Sequence, residues 1–254
     1  MNYSMLYKRD TYINKDIPFI YGKDIYEYDI HHAGISISRY FNLLPEEELD
    51  RIEKKAKNKK EIAVILGKIQ RKDSKFKENL KKGFEDAREL FFKENQLQDN
   101  EILSIKKDAI FTLRPCMKTD FGDIIFVNKN HYTSYVRIGM LEFYYAYDKL
   151  DVKGISDEKL YEHQDHILKF INKVFYLMEN DSIVHTLQYI RVFSDRYKRL
   201  ELDPGYYRSF DREGMYRTKD GEYTYSFVTP DLLPAMDISY NYVVIIGGFL
   251  TTIL

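Results

Sequence analysis

Hydrophobic positions change period several times along the chain, and each change marks an element. Residues 1 to 24 show no clear period and are punctuated by Pro18 and Gly22. Asp24 to Ile30 then alternates at Ile25, Glu27 and Asp29 in a Tyr- and Ile-rich run, which predicts a strand. Leu43-Leu44-Pro45-Glu46-Glu47-Glu48 opens a helix, with Pro at an early position and acids in the first turn. Asn58 to Glu61 breaks it, and Ile62 to Leu66 fits either period. Ser74 to Glu94 is the clearest helix, since Phe76, Leu80, Phe84, Ala87 and Phe91 recur at three-to-four spacing.

The pattern next turns to β. Glu101 to Ile105 and Asp108 to Leu113 read as strands around a tight turn at Lys106-Lys107. A second hairpin turns at Gly122, with strands around Met117 and Asp123 to Val127, and Tyr132 to Tyr145 continues as strand. Two helices follow, from Ser156 to about Met178 and from Ile183 to Leu200. The last fifty residues return to Tyr-rich β patterning. The expected class is α+β. A change from strands to helices near Gly154 suggests a boundary there.

Composition narrows the chemistry. The 254 residues hold one cysteine, Cys116, which excludes an internal disulfide and a multi-Cys zinc site. Cys116 reads as a small strand residue. The N-terminus shows no apolar leader, and the longest apolar run, Val243 to Leu254, is too short to span a bilayer. The expected setting is cytoplasmic, without a membrane partner. Net charge is −1, but Arg51 to Lys82 holds 13 Lys/Arg against 4 acids. Such a block attracts phosphates, although a lysine-rich solvated helix face gives the same count. No G-x-S-x-G, G-x-G-x-x-G or G-x-x-x-x-G-K is present, and His163 and His166 read as a surface pair on a helix. Gly247-Gly248 reads as a bend in a terminal strand.

Two short segments each centre on an aspartate after a buried-type run. Asp29 to Ile37 resembles motif A of family B DNA polymerases, D-F-x-S-L-Y-P-S-I: Asp29 sits at the metal-binding position and Ser36-Ile37 match the closing pair. Gly34 falls where that family has its sugar-gating tyrosine. Ser104 to Phe111 resembles motif C, Y-G-D-T-D-S-I-F, with Asp108 on the second aspartate and Lys106 on the first. Lys82 to Glu89 is similar to the G-R-E helix before motif C. Lys129-Asn130-His131-Tyr132 lies where the family has K-K-R-Y, and Leu150 to Ile155 resembles the L-D-x-K-G segment that closes the palm. The order of these segments over Asp24 to Ile155 covers about half the chain, and no motif B is found.

The resemblance implies a mostly antiparallel palm-like sheet over 1–155 with a basic finger-like insertion at about 43–100. Residues 156–254 would form a helical, thumb-like region ending in β structure. It implies Asp29 and Asp108 as catalytic and metal-binding residues for Mg²⁺, with Mn²⁺ as an alternative. Lys59, Lys60, Lys68, Arg71, Lys72 and Lys153 are the expected contacts to nucleoside triphosphate and nucleic acid. The function implied is nucleotidyl transfer to a primer 3′-hydroxyl in phage or plasmid replication. The alternative is a non-catalytic palm that binds nucleic acid or a replication protein, with Lys106 capping Asp108. A protein unrelated to polymerases would keep the two aspartates apart.

Overall fold

The computed structural model describes residues 3–138, 141–155, 160–161, 164–199, 201–203, 206, 216–217 and 223–224. Their order is mixed α+β: β1 (Thr11–Ile13), β2 (Phe19–Ile30), α1 (Ala33–Tyr40), α2 (Glu46–Lys55), α3 (Lys59–Lys72), α4 (Ser74–Glu94), β3 (Ile102–Lys106) and β4 (Ala109–Thr112). There follow β5 (Asp120–Phe121), β6 (Ile124–Ile138), β7 (Leu141–Ala146), β8 (Lys149–Lys153), α5 (Ile167–Asn180), α6 (Ile183–Lys198), β9 (Tyr216–Arg217) and β10 (Tyr223–Thr224). The chain groups into two compact units, Met1–Asp16 with Asp24–His131, and Ile17–Lys23 with Tyr132–Leu254. The long strands β2 and β6 contribute to both.

In the first unit the strands run β1-β3-β4-β2-β6, and every pairing with a described register is antiparallel. Helices α1 to α4 carry the apolar stripes that meet this sheet. Asn58 caps α3 by accepting from the Glu61 amide at 3.0 Å, so the undecided run Ile62 to Leu66 becomes helix, with Ile62 and Leu66 one turn apart on its buried side. Asp73 caps α4 through the Phe76 amide, and the expected stripe is buried at Phe76, Leu80, Ala87 and Phe91. Gly83 lets α1 approach α4 closely, since a Cβ there would lie 2.5 Å from Ile37 Cγ2. The tight turn of the first hairpin lies one residue later than expected. Lys106 pairs with Ala109, and Lys107 and Asp108 form the turn, with Lys107 at φ +57°.

Met117 and Cys116 lie outside strands. Cys116 sits in a loop, where its amide donates to the Tyr28 hydroxyl at 2.7 Å and burial pushes its thiol up to about 11. Gly122, at φ +81°, turns β5 into β6.

In the second unit β6, β7 and β8 form an antiparallel meander, with Tyr135 opposite Tyr144 and Tyr144 opposite Asp151. Helices α5 and α6 cover it through Phe170, Ile171, Val174, Phe175, Ile190 and Phe193. The helix expected from Ser156 is described from Ile167 onward as α5. His163, residues 225–254 and the Gly247-Gly248 pair lie outside the described residues. His166 meets Asp203 at 2.8 Å. Among the described residues no helix is long and apolar enough to cross a membrane.

Candidate active site

The site begins with register. Strand β2 pairs with β4 so that Asp29 lies opposite Ala109, the residue after Asp108. A strand end and a hairpin turn thereby bring two carboxyls, 79 positions apart in sequence, close enough for each to feel the other's charge. Burial, first, and the neighbouring Asp29 charge, second, hold the Asp108 carboxyl above the usual aspartate range, while Lys59 pulls it back. Like charges this close cannot both ionise freely without a shared proton or a cation.

Two lysines provide partial neutralisation. Lys129 Nζ lies 3.2 Å and Lys59 Nζ 3.7 Å from Asp29 Oδ2. Lys59 comes from the first turn of α3, and Lys129 from β6, beside Asn130, whose amide donates to buried Glu27 at 2.6 Å. Asp29 is only 13 % exposed, whereas Lys59 and Lys129 are 59 % and 52 % exposed. The lysines reach in from solvent to a fixed carboxylate.

Chain direction changes immediately after Asp29. His32 adopts φ +46° at the start of α1, and Ser36 Oγ donates to the His31 carbonyl at 2.6 Å. Nδ1 of His32 is buried without a hydrogen-bond partner in this structure. A cleft of about 510 Å³ opens beside these groups. His32, Lys59, Lys107 and Asp108 lie at its wall together with apolar Ile62, Leu66, Leu80 and Phe84. Gly34 also lines it, and a Cβ at that position would come within 2.6 Å of Leu66 Cδ1. Position 34 is thus closed to a larger side chain unless Leu66 moves.

Arg88 holds the Asp108 turn from behind. Its guanidinium is wholly buried. Nε donates to the Tyr7 carbonyl at 2.7 Å, Nη1 to the Lys107 carbonyl at 2.9 Å and Nη2 to Asp10 Oδ1 at 3.0 Å. Burial lowers its pKa and Asp10 offsets part of that shift. The Lys107 amide also donates to the Asp10 carbonyl at 2.7 Å.

The remaining expected contacts separate. Lys59 meets Asp29. Lys60, Lys68 and Lys72 line hollows on another side of α3, away from the carboxylate cleft. Arg71 is exposed near the end of α3, and Lys153 lies in the second unit on β8, opposite Glu142. Of these expected contacts, Lys59 is the one that acts on Asp108; Lys129 and Arg88 feel the same carboxyl. Periodicity did not single out Arg88, Asp10, His32 or Lys129 as site residues. The one signal for Lys129 is its place in the K-K-R-Y-like segment.

Asp10, Glu78 and Asp108 line the cleft, and Asp29 adjoins Asp108. Among the described residues no cluster of three or more His, Cys, Asp or Glu is arranged to hold one. A family model described as Bacteriophage PBS1 gene 130 protein matches residues 1–247. No curated protein and no solved structure matches the chain.

Proposed function

The chain belongs to the bacteriophage PBS1 gene 130 protein family, and for it we propose nucleotidyl transfer from a nucleoside triphosphate to a primer 3′-hydroxyl, seated at Asp29 and Asp108. The observation that carries this reading is the contact between the two carboxyls, with Asp108 held above its ordinary range beside a cleft. A carboxyl perturbed by desolvation and a specific charge partner beside a cleft is a candidate for a functional site.

The donor set fits magnesium or manganese. Mg²⁺ takes hard oxygens and is commonly held by one or two carboxylates, with substrate phosphates and water completing the shell. Asp29 and Asp108 would hold the ion. Bound there, the metal supplies charge that acidifies the attacking hydroxyl and offsets the negative charge of the triphosphate.

The chain's own residues do the rest. Lys59 and Lys129 partly neutralise Asp29 in the free protein, and Lys59 also lines the cleft, where it would meet a triphosphate. Leu66, Leu80 and Phe84 give the cleft an apolar wall for a nucleoside. Arg88 fixes the Lys107 carbonyl, and so the approach of Asp108. Replication of phage nucleic acid is the process this chemistry would serve.

A second reading rests on the same two ion pairs. Lysines that already satisfy Asp29 would suit a non-catalytic palm binding nucleic acid or a replication protein. Primer extension with Mg²⁺ or Mn²⁺, using dNTPs and NTPs, separates the two. Nucleotide incorporation by the wild type, lost in both Asp29→Ala and Asp108→Ala, is the expected result. No incorporation by wild type, with nucleic-acid binding that survives both substitutions, would favour the non-catalytic reading.

A further inference from the structure

Helix α3 presents cations in two directions. Lys59 points to Asp29, while Lys60, Lys68 and Lys72 line two adjoining hollows against α2. The hollows measure about 390 and 460 Å³ and share Lys55 and Lys68, so they form one track. Positions 60, 64, 68 and 72 recur every four residues and lie on one side of the helix. On α2, Arg51 and Lys55 have the same spacing.

The cations along this track, Arg51, Lys55, Lys60, Lys68 and Lys72, outnumber the acids, Glu48 and Glu61. The Glu61 carboxylate accepts the Lys57 amide at 2.8 Å, and Glu48 pairs with Arg51 at 3.6 Å. Lys55, Lys60, Lys68 and Lys72 are exposed and form no ion pair among the described residues. Unpaired lysines of one sign are a source of net field, unlike Lys82, which Asp86 and Glu85 neutralise.

We propose that the α2–α3 track binds the phosphate backbone of a nucleic-acid strand, at a site separate from the carboxylate cleft. The physical basis is threefold. Lysine offers a mobile point charge suited to phosphate rather than to one fixed geometry. The floor is aliphatic, with Ile52, Ile65 and Ile69 and no aromatic ring, so bases have nothing to stack on. The track from Lys60 to Lys72 is about 18 Å long, enough for several consecutive phosphates of one strand. Recognition there is of backbone charge and independent of sequence. It does not depend on the transferase reading.

The test is fluorescence anisotropy of the full chain with a labelled, mixed-sequence 20-nucleotide DNA strand, titrated across salt. The variants are Lys60→Gln/Lys68→Gln/Lys72→Gln and, as the control for the cleft, Asp29→Ala. All three lysines are exposed, and a thermal melt verifies that the triple variant is folded. The expected result is a tenfold or greater loss of affinity in the triple variant. Its log-log salt slope should flatten by about 2, the value for three lost single-strand contacts. Asp29→Ala should bind as wild type or more tightly. A wild type that does not bind, or a folded triple variant that binds equally, overturns the proposal. So does displacement of the strand by polyglutamate at equal charge concentration, which would assign the track to acidic protein.

Discussion

Two carboxylate systems, one in each unit, meet their charge in different ways. Glu142 on β7 is completely buried, and it accepts hydrogen bonds from the Tyr144 hydroxyl at 3.0 Å and the Tyr135 hydroxyl at 3.4 Å. Burial, with Glu142 adding to it, raises the Tyr135 hydroxyl far above its ordinary range, so it remains a donor. Asp29 and Asp108 instead face each other beside an open cleft, and their cations come from exposed lysines. The closed arrangement holds its carboxylate inside the core against two tyrosine hydroxyls, away from any cleft. The open one retains electrostatic tension that a ligand cation would relieve. Burial alone therefore does not mark a candidate site; convergence of like charges next to a cavity does.

The contrast can be broken by substitution. Arg88→Ala should have the largest effect on stability, because three acceptors lose a buried, charged donor. A loss of roughly 3 kcal/mol or more is expected, read as a fall in Tm of about 10 °C. Glu142→Ala should cost about 2 kcal/mol in chemical denaturation by leaving the Tyr135 and Tyr144 hydroxyls without their acceptor. Primer extension per folded molecule should be unaffected. A stability loss at Glu142 smaller than that at Asp29 would reverse the comparison.

Asp108→Asn should have the smallest effect and the opposite sign. The folded state raises the Asp108 pKa, so folding binds a proton more tightly than the unfolded chain does. Stability of the wild type then falls as pH rises from about 3.9 through the folded value. Asn removes this penalty. Thermal melts should show the variant equal to wild type on this account below about pH 3.9 and at least as stable at pH 8, in metal-free buffer. A lower Tm at pH 8 would mean that the contact with Asp29 is a net stabilising one.

Local signals in the sequence foretold local structure. The stripe from Phe76 to Phe91 foretells α4, whose N-cap in the structure is Asp73, and the expected turn at Gly122 is present, at positive φ. Ile62 to Leu66 was ambiguous because five apolar residues fit two periods, and the Asn58 cap with burial on α1 and α4 decided for helix. The β3–β4 turn was displaced by one residue because Lys107, not Lys106, leaves extended geometry. Asp29 and Asp108 could be named from motif-like segments. Their lysine partners depend on tertiary approach: Lys129 is 100 positions from Asp29. Arg88 has the same origin, since nothing in a helical period says that a charged residue on the inner face will meet the carbonyls of Tyr7 and Lys107.

The most direct measurement of the central claim is Mn²⁺ binding followed by electron paramagnetic resonance, on wild type beside Asp29→Asn and Asp108→Asn. Wild type should take up Mn²⁺ saturably, with uptake lost in each variant and competed by Mg²⁺. Absence of uptake by wild type, or uptake that both variants retain, would contradict the assignment of Asp29 and Asp108 as a metal-binding pair.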